Sequence, residues 1–310
     1  MTTSAGYLTT DDGLRLFYRT LGTGSRMLIV PNAIHTYVDF RGLAAHRSVV
    51  FYDLRNRGQS ETVTDATKLA GGIVSDVEDL DAVRRHIGCE RCDVIGWSYV
   101  GMMAVLYAER HPRNVGRVVQ IGPPPPDPTT QYPAHLANHD EVLREVLAEL
   151  QTAAAEMEAF ERAGRTSDAQ EAYRRAAGAM RRMLVADRDR AGDLEHGDVA
   201  HLPNERGGMR HWQENIAPSI QRLGLTAERL ARIDTPVLTI HGTKDRNAPY
   251  GGGREWALKL ANARLLTVPH AAHAPWIEEP GAVFGAIETF LAGEWPQAAE
   301  KITLLDPGRE

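Results

Sequence analysis

The sequence predicts an α/β protein with a doubly wound, mostly parallel sheet and an inserted helical cap. Short apolar runs alternate with helical stretches near both ends of the chain, and a long helix-forming stretch separates them. The chain has 310 residues, of which 43% are hydrophobic, enough for one large domain with an insertion. We predict a core from residues 1–122 and 234–294, a cap from residues 123–233, and a loose tail from residues 295–310.

The first part of the core alternates strands with helices. The Asp11-Asp12-Gly13 turn separates two strand-forming segments, which predicts a hairpin. The later strands are short apolar runs, as expected where helices cover both faces of a sheet, and the helices carry one apolar stripe. Strands are predicted at 14–18, 27–30, 49–52, 94–95 and 115–121, and helices at 73–86 and 99–110.

The composition changes at the four prolines of residues 123–126. Residues 140–190 are rich in Ala, Glu, Arg and Leu, which favour helices. Strands return after Pro236, at 237–241 and 265–268, with a helix around 255–260 and a last helix from about Pro280 to residue 291. A helical stretch between two α/β parts is the reason for predicting a cap.

Composition also argues against several classes of protein. The net charge is -6 and no dense basic cluster occurs, so we expect no nucleic-acid partner. The first residues lack a signal peptide's pattern and no run of about 18 apolar residues occurs, so we expect no membrane association. Cys89 and Cys92 lead directly into a strand, and we interpret them as structural, reduced thiols of a cytoplasmic protein. We predict no metal site.

The segment Gly96-Trp97-Ser98-Tyr99-Val100-Gly101 carries the strongest chemical signal. A strand that leads directly into a helix forces a sharp turn, which lifts the Ser98 hydroxyl off the sheet edge. Gly96 is needed because any side chain at this position would crowd the turn. The usual second glycine position, two residues after the serine, is occupied by Val100, and a glycine follows it. Ser98 is the predicted nucleophile.

A serine needs a base to take its proton and an acid to orient that base. Asp245 and His273 each follow a predicted strand, and functional groups gather at the carboxyl ends of strands in open α/β sheets. We therefore predict His273 as the base and Asp245 as the acid. His270, three residues earlier, is an alternative base, and Asp127, after the strand at 115–121, is an alternative acid.

Together these motifs resemble the α/β-hydrolase superfamily over nearly the whole chain apart from the cap. Residues 52–60 are similar to the family's D-x-R-x-x-G-x-S turn, and residues 272–280 resemble its closing histidine segment. Capped serine hydrolases, including proline iminopeptidases and carboxylesterases, match best. The resemblance favours His273 over His270 as the base, and by position the N–H groups of Ala33 and Tyr99 form the oxyanion hole. The family's His-Gly pair is Pro31-Asn32 here.

Seven further residues are candidates for the substrate pocket. His35 lies in the predicted oxyanion loop. The sequence supports two interpretations of it equally, a residue that contacts the substrate and a partly exposed loop residue without that role. The pocket candidates are Asn32, His35, Tyr37, Trp97, Trp212, Glu205 and Glu214.

A serine at this sharp turn between strand and helix (the nucleophile elbow) implies acyl transfer to water, without a metal or an organic cofactor. We expect a small-molecule partner, an ester or a lactone. A proline-iminopeptidase-like enzyme is the alternative, for which Glu205 and Glu214 would bind the substrate's amino group. Hydrolysis of a carbon–carbon bond is a third activity. A ligand-binding protein on a hydrolase scaffold, with slow or no turnover, also stays open, and the sequence does not indicate an oligomeric state.

Overall fold

The computed structural model describes residues 3–138, 141–194 and 197–308. Asp140, where the predicted helical stretch begins, lies outside them. Within the described residues the strands form one eight-stranded sheet. They are β1 (Thr3–Thr9), β2 (Arg15–Leu21), β3 (Met27–Pro31), β4 (Ser48–Tyr52), β5 (Cys92–Trp97), β6 (Val115–Ile121), β7 (Val237–Gly242) and β8 (Ala263–Val268).

Helices connect and cover these strands. They are α1 (Ala33–Phe40), α2 (Ala66–Leu69), α3 (Ile73–His86), α4 (Tyr99–Arg110), α5 (Ala134–Ala137), α6 (Glu141–Arg162), α7 (Thr166–Leu184), α8 (Pro203–Arg206), α9 (Gly208–His211), α10 (Ala217–Gln221), α11 (Ala227–Leu230), α12 (Tyr250–Lys259), α13 (Pro275–Glu278) and α14 (Pro280–Ala292). Short 3₁₀ segments lie at Arg41–Ala45 and Arg188–Asp193, and a π-helical turn at Trp212–Ile216.

The sheet has the predicted doubly wound arrangement. Its strand order is β1-β2-β4-β3-β5-β6-β7-β8, with β1 and β2 antiparallel to their neighbours and the remaining pairs parallel. Because β3 to β8 run in the same direction, the loops that follow them meet at one edge of the sheet. This edge carries Ser98 after β5, Asp245 after β7 and His273 after β8.

Two apolar layers cover the sheet, one on each face. Side chains of α3, α4 and α12 form the first layer, with Trp256 and Tyr107 fully buried. Side chains of α1 and α14 form the second, which includes Phe40 and Phe290. Burial on both faces explains why the central strands are continuous apolar runs in the sequence.

The segment between β6 and β7, which we call the helical insertion (residues 123–233), contains helices and no strand in its described part. Helices α6 and α7 pack against each other through Val146, Leu150 and Met183. The last residues of the predicted cap range belong to the core instead, since Leu230 and Ile233 lie in the apolar layer beside α12.

Part of the C-terminal segment that was predicted to be a loose tail packs against β8 and α12 instead. Glu300 pairs with Leu265 of β8 through two backbone hydrogen bonds of 2.8 and 2.9 Å, and Ile302 is buried beside Tyr250. Arg254 of α12 donates to the carbonyl oxygens of two further tail residues. The tail holds because it extends the sheet edge at β8 and covers apolar side chains there.

Two other features bear on the class of protein. No helix among the described residues is long and apolar enough to cross a membrane. Cys89 and Cys92 are both free thiols, and burial raises the pKa of each. Raised pKa values disfavour the reactive thiolate, which supports the structural interpretation of this pair.

Candidate active site

Ser98 lies at a strained turn between β5 and α4. Its backbone has φ 60° and ψ −134°, a region that residues other than glycine rarely occupy. Two hydrogen bonds hold the turn: Ser98 N donates to the Ile121 carbonyl across 2.8 Å, and Gly101 N donates to the Ser98 carbonyl across 2.9 Å. The strain is therefore fixed by the strand beside it and by the first turn of the helix.

Glycines make this turn sterically feasible. A Cβ atom on Gly96 would lie 2.2 Å from the Val100 carbonyl oxygen, and one on Gly101 would lie 2.9 Å from Gln120 Cβ. Val100 itself is buried in the apolar layer beneath the helix. The valine at the usual glycine position thus leaves the elbow intact, because the glycine next to it provides the close approach to β6.

His273 and Asp245, the predicted base and acid, form a buried hydrogen-bonded pair. His273 Nδ1 lies 2.7 Å from Asp245 Oδ2, and both side chains are almost fully buried. The other carboxylate oxygen accepts from the backbone N–H groups of Asn247 at 2.9 Å and Ala248 at 2.8 Å. Burial raises the pKa of Asp245, but hydrogen bonds and the charges of its imidazole partners outweigh burial and hold it well below its usual range. The acid is therefore ionised.

A second imidazole contacts the same carboxylate oxygen. His241 Nε2 lies 3.1 Å from Asp245 Oδ2 and 3.1 Å from the Ala248 carbonyl oxygen, and this histidine is fully buried. This contact was not predicted from the sequence. The available signal was a histidine at the end of a buried strand, four residues before the acid, where a polar side chain needs a partner.

The outer nitrogen of His273 is also occupied. Asn247 Nδ2 lies 2.9 Å from His273 Nε2. Ser98 Oγ, in contrast, makes no hydrogen bond with any of the described residues. Behind the base, Trp97 Nε1 donates to the His273 carbonyl across 2.8 Å, and the Trp97 ring lies 5.2 Å from the imidazole. Trp97 is therefore buried against His273 and offers little surface to a substrate pocket.

The predicted oxyanion donors begin two helices at the same edge. Ala33 is the first residue of α1 and Tyr99 the first of α4, so neither N–H has an intrahelical acceptor. Neither N–H is hydrogen-bonded to another described residue. Asn32 precedes Ala33 at φ 62° and ψ 49°, the left-handed conformation that asparagine tolerates.

Asp53 links two segments beside the predicted oxyanion donors through hydrogen bonds. It was not among the predicted site residues. Its carboxylate accepts from Ile34 N and from Gln59 N, each at 2.9 Å. It thereby joins the loop after β3 to the loop after β4. Burial raises the pKa of Asp53 to about 6. The D-x-R-x-x-G-x-S turn was the signal that could have identified it.

Glu205 does not present a free carboxylate, which argues against its predicted role in binding an amino group. It is almost fully buried and accepts from Arg57 Nη2 at 2.8 Å and from Gly58 N at 2.7 Å. His35 Nε2 lies 3.4 Å from the same carboxylate and contacts Arg57. Burial raises the pKa of Glu205, but Arg57 and His35 outweigh it and hold the pKa well below its usual range. The charge of Glu205 is thus neutralised within the protein.

Aromatic rings from the helical insertion approach Tyr99. The Trp212 ring lies 5.3 Å from the Tyr99 ring. Burial and the charge of Arg57 lower the pKa of His211 to about 4, so its ring is neutral near pH 7. Neutral aromatic rings therefore lie on this side of the site, close to the Arg57–Glu205 pair.

None of the other predicted residues, all of which the structure describes, is hydrogen-bonded to Ser98, Asp245 or His273. Glu214 is exposed on the π-helical turn. Tyr37 packs edge-on against Phe51 beneath the Arg19 guanidinium. The alternative acid Asp127 accepts from Thr129 in a local turn, and the alternative base His270 is exposed at φ 64°. Among the described residues, no group of three or more potential metal ligands is present.

Comparisons with known proteins agree with this architecture. The chain is similar to an esterase from Exiguobacterium antarcticum, with a TM-score of 0.68, 16% identity, and coverage of 94% of this chain and 100% of that one. A proline iminopeptidase from Mycobacterium smegmatis has a TM-score of 0.61 and 20% identity, with 93% and 98% coverage. At these identities the likeness shows the fold alone.

A sequence relative adds a weaker similarity. The chain is 25% identical over 263 residues to the biotin biosynthesis bifunctional protein BioHC of Teredinibacter turnerae. The match covers 84% of this chain but only 42% of that protein's length. A family model described as alpha/beta hydrolase fold matches residues 37–280, most of the chain. The protein therefore belongs to the α/β-hydrolase family.

Proposed function

We propose that this protein is a serine hydrolase that cleaves a small-molecule ester or lactone through an acyl-enzyme. The observation that carries the proposal is the 2.7 Å hydrogen bond between His273 and the buried carboxylate of Asp245, at the same sheet edge as the strained Ser98. Backbone strain at one residue and a buried ionised carboxylate are both costly to maintain, and both serve nucleophilic catalysis.

The proposed reaction has two stages. Ser98 Oγ attacks the carbonyl carbon while His273 Nε2 takes its proton, and the N–H groups of Ala33 and Tyr99 bind the developing oxyanion. The protonated ring then donates to the leaving group. A water molecule, activated by the same nitrogen, releases the acid and restores Ser98. Asp245 stays ionised throughout and stabilises the imidazolium. No metal or organic cofactor takes part.

An ester or lactone has more support than an aminoacyl amide. The aminopeptidase alternative needs an unpaired carboxylate to hold an amino group, whereas the buried carboxylate of Glu205 is already paired with Arg57. The neutral rings of Trp212 and Tyr99 are better suited to an uncharged substrate. We also propose a cytoplasmic location, supported by the free thiols of Cys89 and Cys92.

The test is covalent labelling with a fluorophosphonate, followed by peptide mass spectrometry. We expect stoichiometric labelling at Ser98, and loss of labelling in Ser98→Ala and His273→Ala. Hydrolysis of 4-nitrophenyl acetate should fall in both variants by at least about 10⁴-fold, as when a triad member is removed.

Turnover of different substrates then distinguishes the esterase or lactonase from the aminopeptidase and from a ligand-binding protein. Turnover of simple esters and a γ-lactone, but not of proline 4-nitroanilide, would support the proposed substrate class. The reverse pattern would favour the aminopeptidase. A folded wild-type protein that neither labels nor turns over any ester would contradict the proposal and favour a ligand-binding protein.

A further inference from the structure

The proton-accepting nitrogen of His273 faces a side chain that the proposed reaction does not use. Nδ1 of the ring lies 2.7 Å from the ionised Asp245, so the ring proton lies on Nδ1 and Nε2 is an acceptor. The amide nitrogen of Asn247 donates to it across 2.9 Å. That lone pair is the one that must receive the proton of Ser98. The amide and the nucleophile therefore compete for the same acceptor.

The backbone around Asn247 is held by hydrogen bonds, whereas the residue itself is exposed to solvent. Asn247 N donates to Asp245 Oδ1 across 2.9 Å, and the next N–H donates to the same oxygen. On the other side, Arg246 Nη1 donates to the Val185 carbonyl of the helical insertion across 2.9 Å. Asn247 is nevertheless an exposed residue. The hydrogen bonds that hold the loop do not involve this side chain, so a rotation of the amide into solvent would free Nε2 and leave them intact.

We propose that Asn247 is a positioning residue that holds His273 in a resting arrangement, from which the base must be released before Ser98 is activated. The proposal rests on the proposed function. When the amide occupies Nε2, the base is unable to accept a proton, and the observed rate of attack is reduced by the fraction of released molecules. The contact also favours the neutral ring, because an amide N–H binds an acceptor and opposes a protonated nitrogen.

Asn247→Ala tests the proposal, because alanine keeps the backbone N–H that binds Asp245. We expect the second-order rate of fluorophosphonate labelling at Ser98 to rise about 2- to 10-fold, the weight of one net hydrogen bond. We also expect the acidic limb of the pH–rate profile to move to higher pH. Among the described residues, the titratable group hydrogen-bonded to His273 is Asp245, which His241 contacts in turn, and both are retained.

Asn247→Asp is the second variant and has the opposite expected effect on labelling. A carboxylate beside Nε2 favours the protonated ring, so labelling at neutral pH should fall while the acidic limb again moves upward. Asn262→Ala is the matched control. Asn262 is also exposed, and its amide donates to the Asp234 carbonyl. It precedes β8, whereas His273 follows β8 at the other end of the strand, so labelling should not change.

Nitrogen NMR of the His273 ring provides a readout that does not depend on activity. The Nε2 resonance should shift in Asn247→Ala relative to the wild type, as it loses its donor. An unshifted resonance, or a folded Asn247→Ala protein that labels at the wild-type rate or more slowly, would overturn the proposal. If wild-type Ser98 fails to label, the proposed function fails, and the resonance alone decides whether Asn247 holds the base.

Discussion

At the scale of single residues, the candidate site depends on backbone angles that few residues adopt. Ser98, Asn32 and Gly122 all have φ between 53° and 62°. Such a conformation costs about 1–3 kcal/mol for a residue other than glycine. It persists at Ser98 because β6 and the start of α4 fix the backbone on both sides. The strain presents the hydroxyl at the carboxyl edge of the sheet.

Gly122 has a second reason to lack a side chain. A Cβ atom there would lie 2.9 Å from His273 Nδ1 and 3.1 Å from Asp245 Oδ2. We predict that Gly122→Ala lowers kcat for 4-nitrophenyl acetate by about 100-fold, because a displacement near 1 Å is enough for such a loss. Steady-state kinetics, with circular dichroism to confirm folding, measure this effect.

Gly178 provides the matched control for that substitution. It lies in the interior of α7, has no atom within 4 Å of an added Cβ, and has an ordinary helical backbone. Gly178→Ala should leave kcat unchanged and stabilise the protein by about 0.5–1 kcal/mol. An unchanged kcat in Gly122→Ala would mean that the acid–base pair tolerates the added methyl group.

At the scale of elements, α8 connects the helical insertion to the core. A four-residue helix has no stability of its own, so its side chains must hold it. Asn204 Nδ2 donates to the Ser60 carbonyl across 2.7 Å, and its side-chain oxygen accepts from Thr62 at 2.7 Å. Glu205, beside it, binds Arg57. The insertion is thereby held on the loop that follows β4.

Glu205→Ala should weaken this connection strongly, because it leaves the Arg57 guanidinium largely buried without its anionic partner. We predict a loss of about 3 kcal/mol in the free energy of unfolding at pH 7, measured by urea denaturation. Because folding holds the pKa of Glu205 below its ordinary value, this stabilisation is complete above about pH 4.5 and is lost as the pH falls further.

The difference between wild type and Glu205→Ala should therefore narrow in acid. Glu214→Ala removes an exposed glutamate of the same insertion and should change stability by less than about 0.5 kcal/mol at either pH. Equal stability of wild type and Glu205→Ala at pH 7 would show that the pair contributes nothing net.

At the scale of the whole molecule, the C-terminal segment completes the core at β8. Ile302 is 5% exposed and packs with Leu265 and Tyr250. We predict that Ile302→Ala lowers the free energy of unfolding by about 2–4 kcal/mol, since it opens a cavity beside the sheet. Leu304, two residues later, is 64% exposed, so Leu304→Ala should have an effect below about 0.5 kcal/mol. Similar effects of both substitutions in urea denaturation would mean that the tail is only loosely attached.

The sequence alone determined the architecture and the order of the chemical groups. Helices α3 and α4 and strand β6 have the predicted limits to the residue, and Ser98, Asp245 and His273 follow the predicted strands. These features are local: apolar spacing reports which face is buried, and glycine or proline marks where an element ends. A turn between a strand and a helix is also determined by consecutive residues, so it can be predicted from the sequence.

Only the tertiary structure decided which side chains become partners. Glu205 pairs with Arg57, 148 residues earlier, so a residue that looked available for substrate is neutralised by the core. Asn247 reaches His273 because β7 and β8 are neighbours in the sheet, and the segment around Glu300 is held because it pairs with β8. Such contacts depend on how distant segments pack in three dimensions, and no local pattern of residues specifies them.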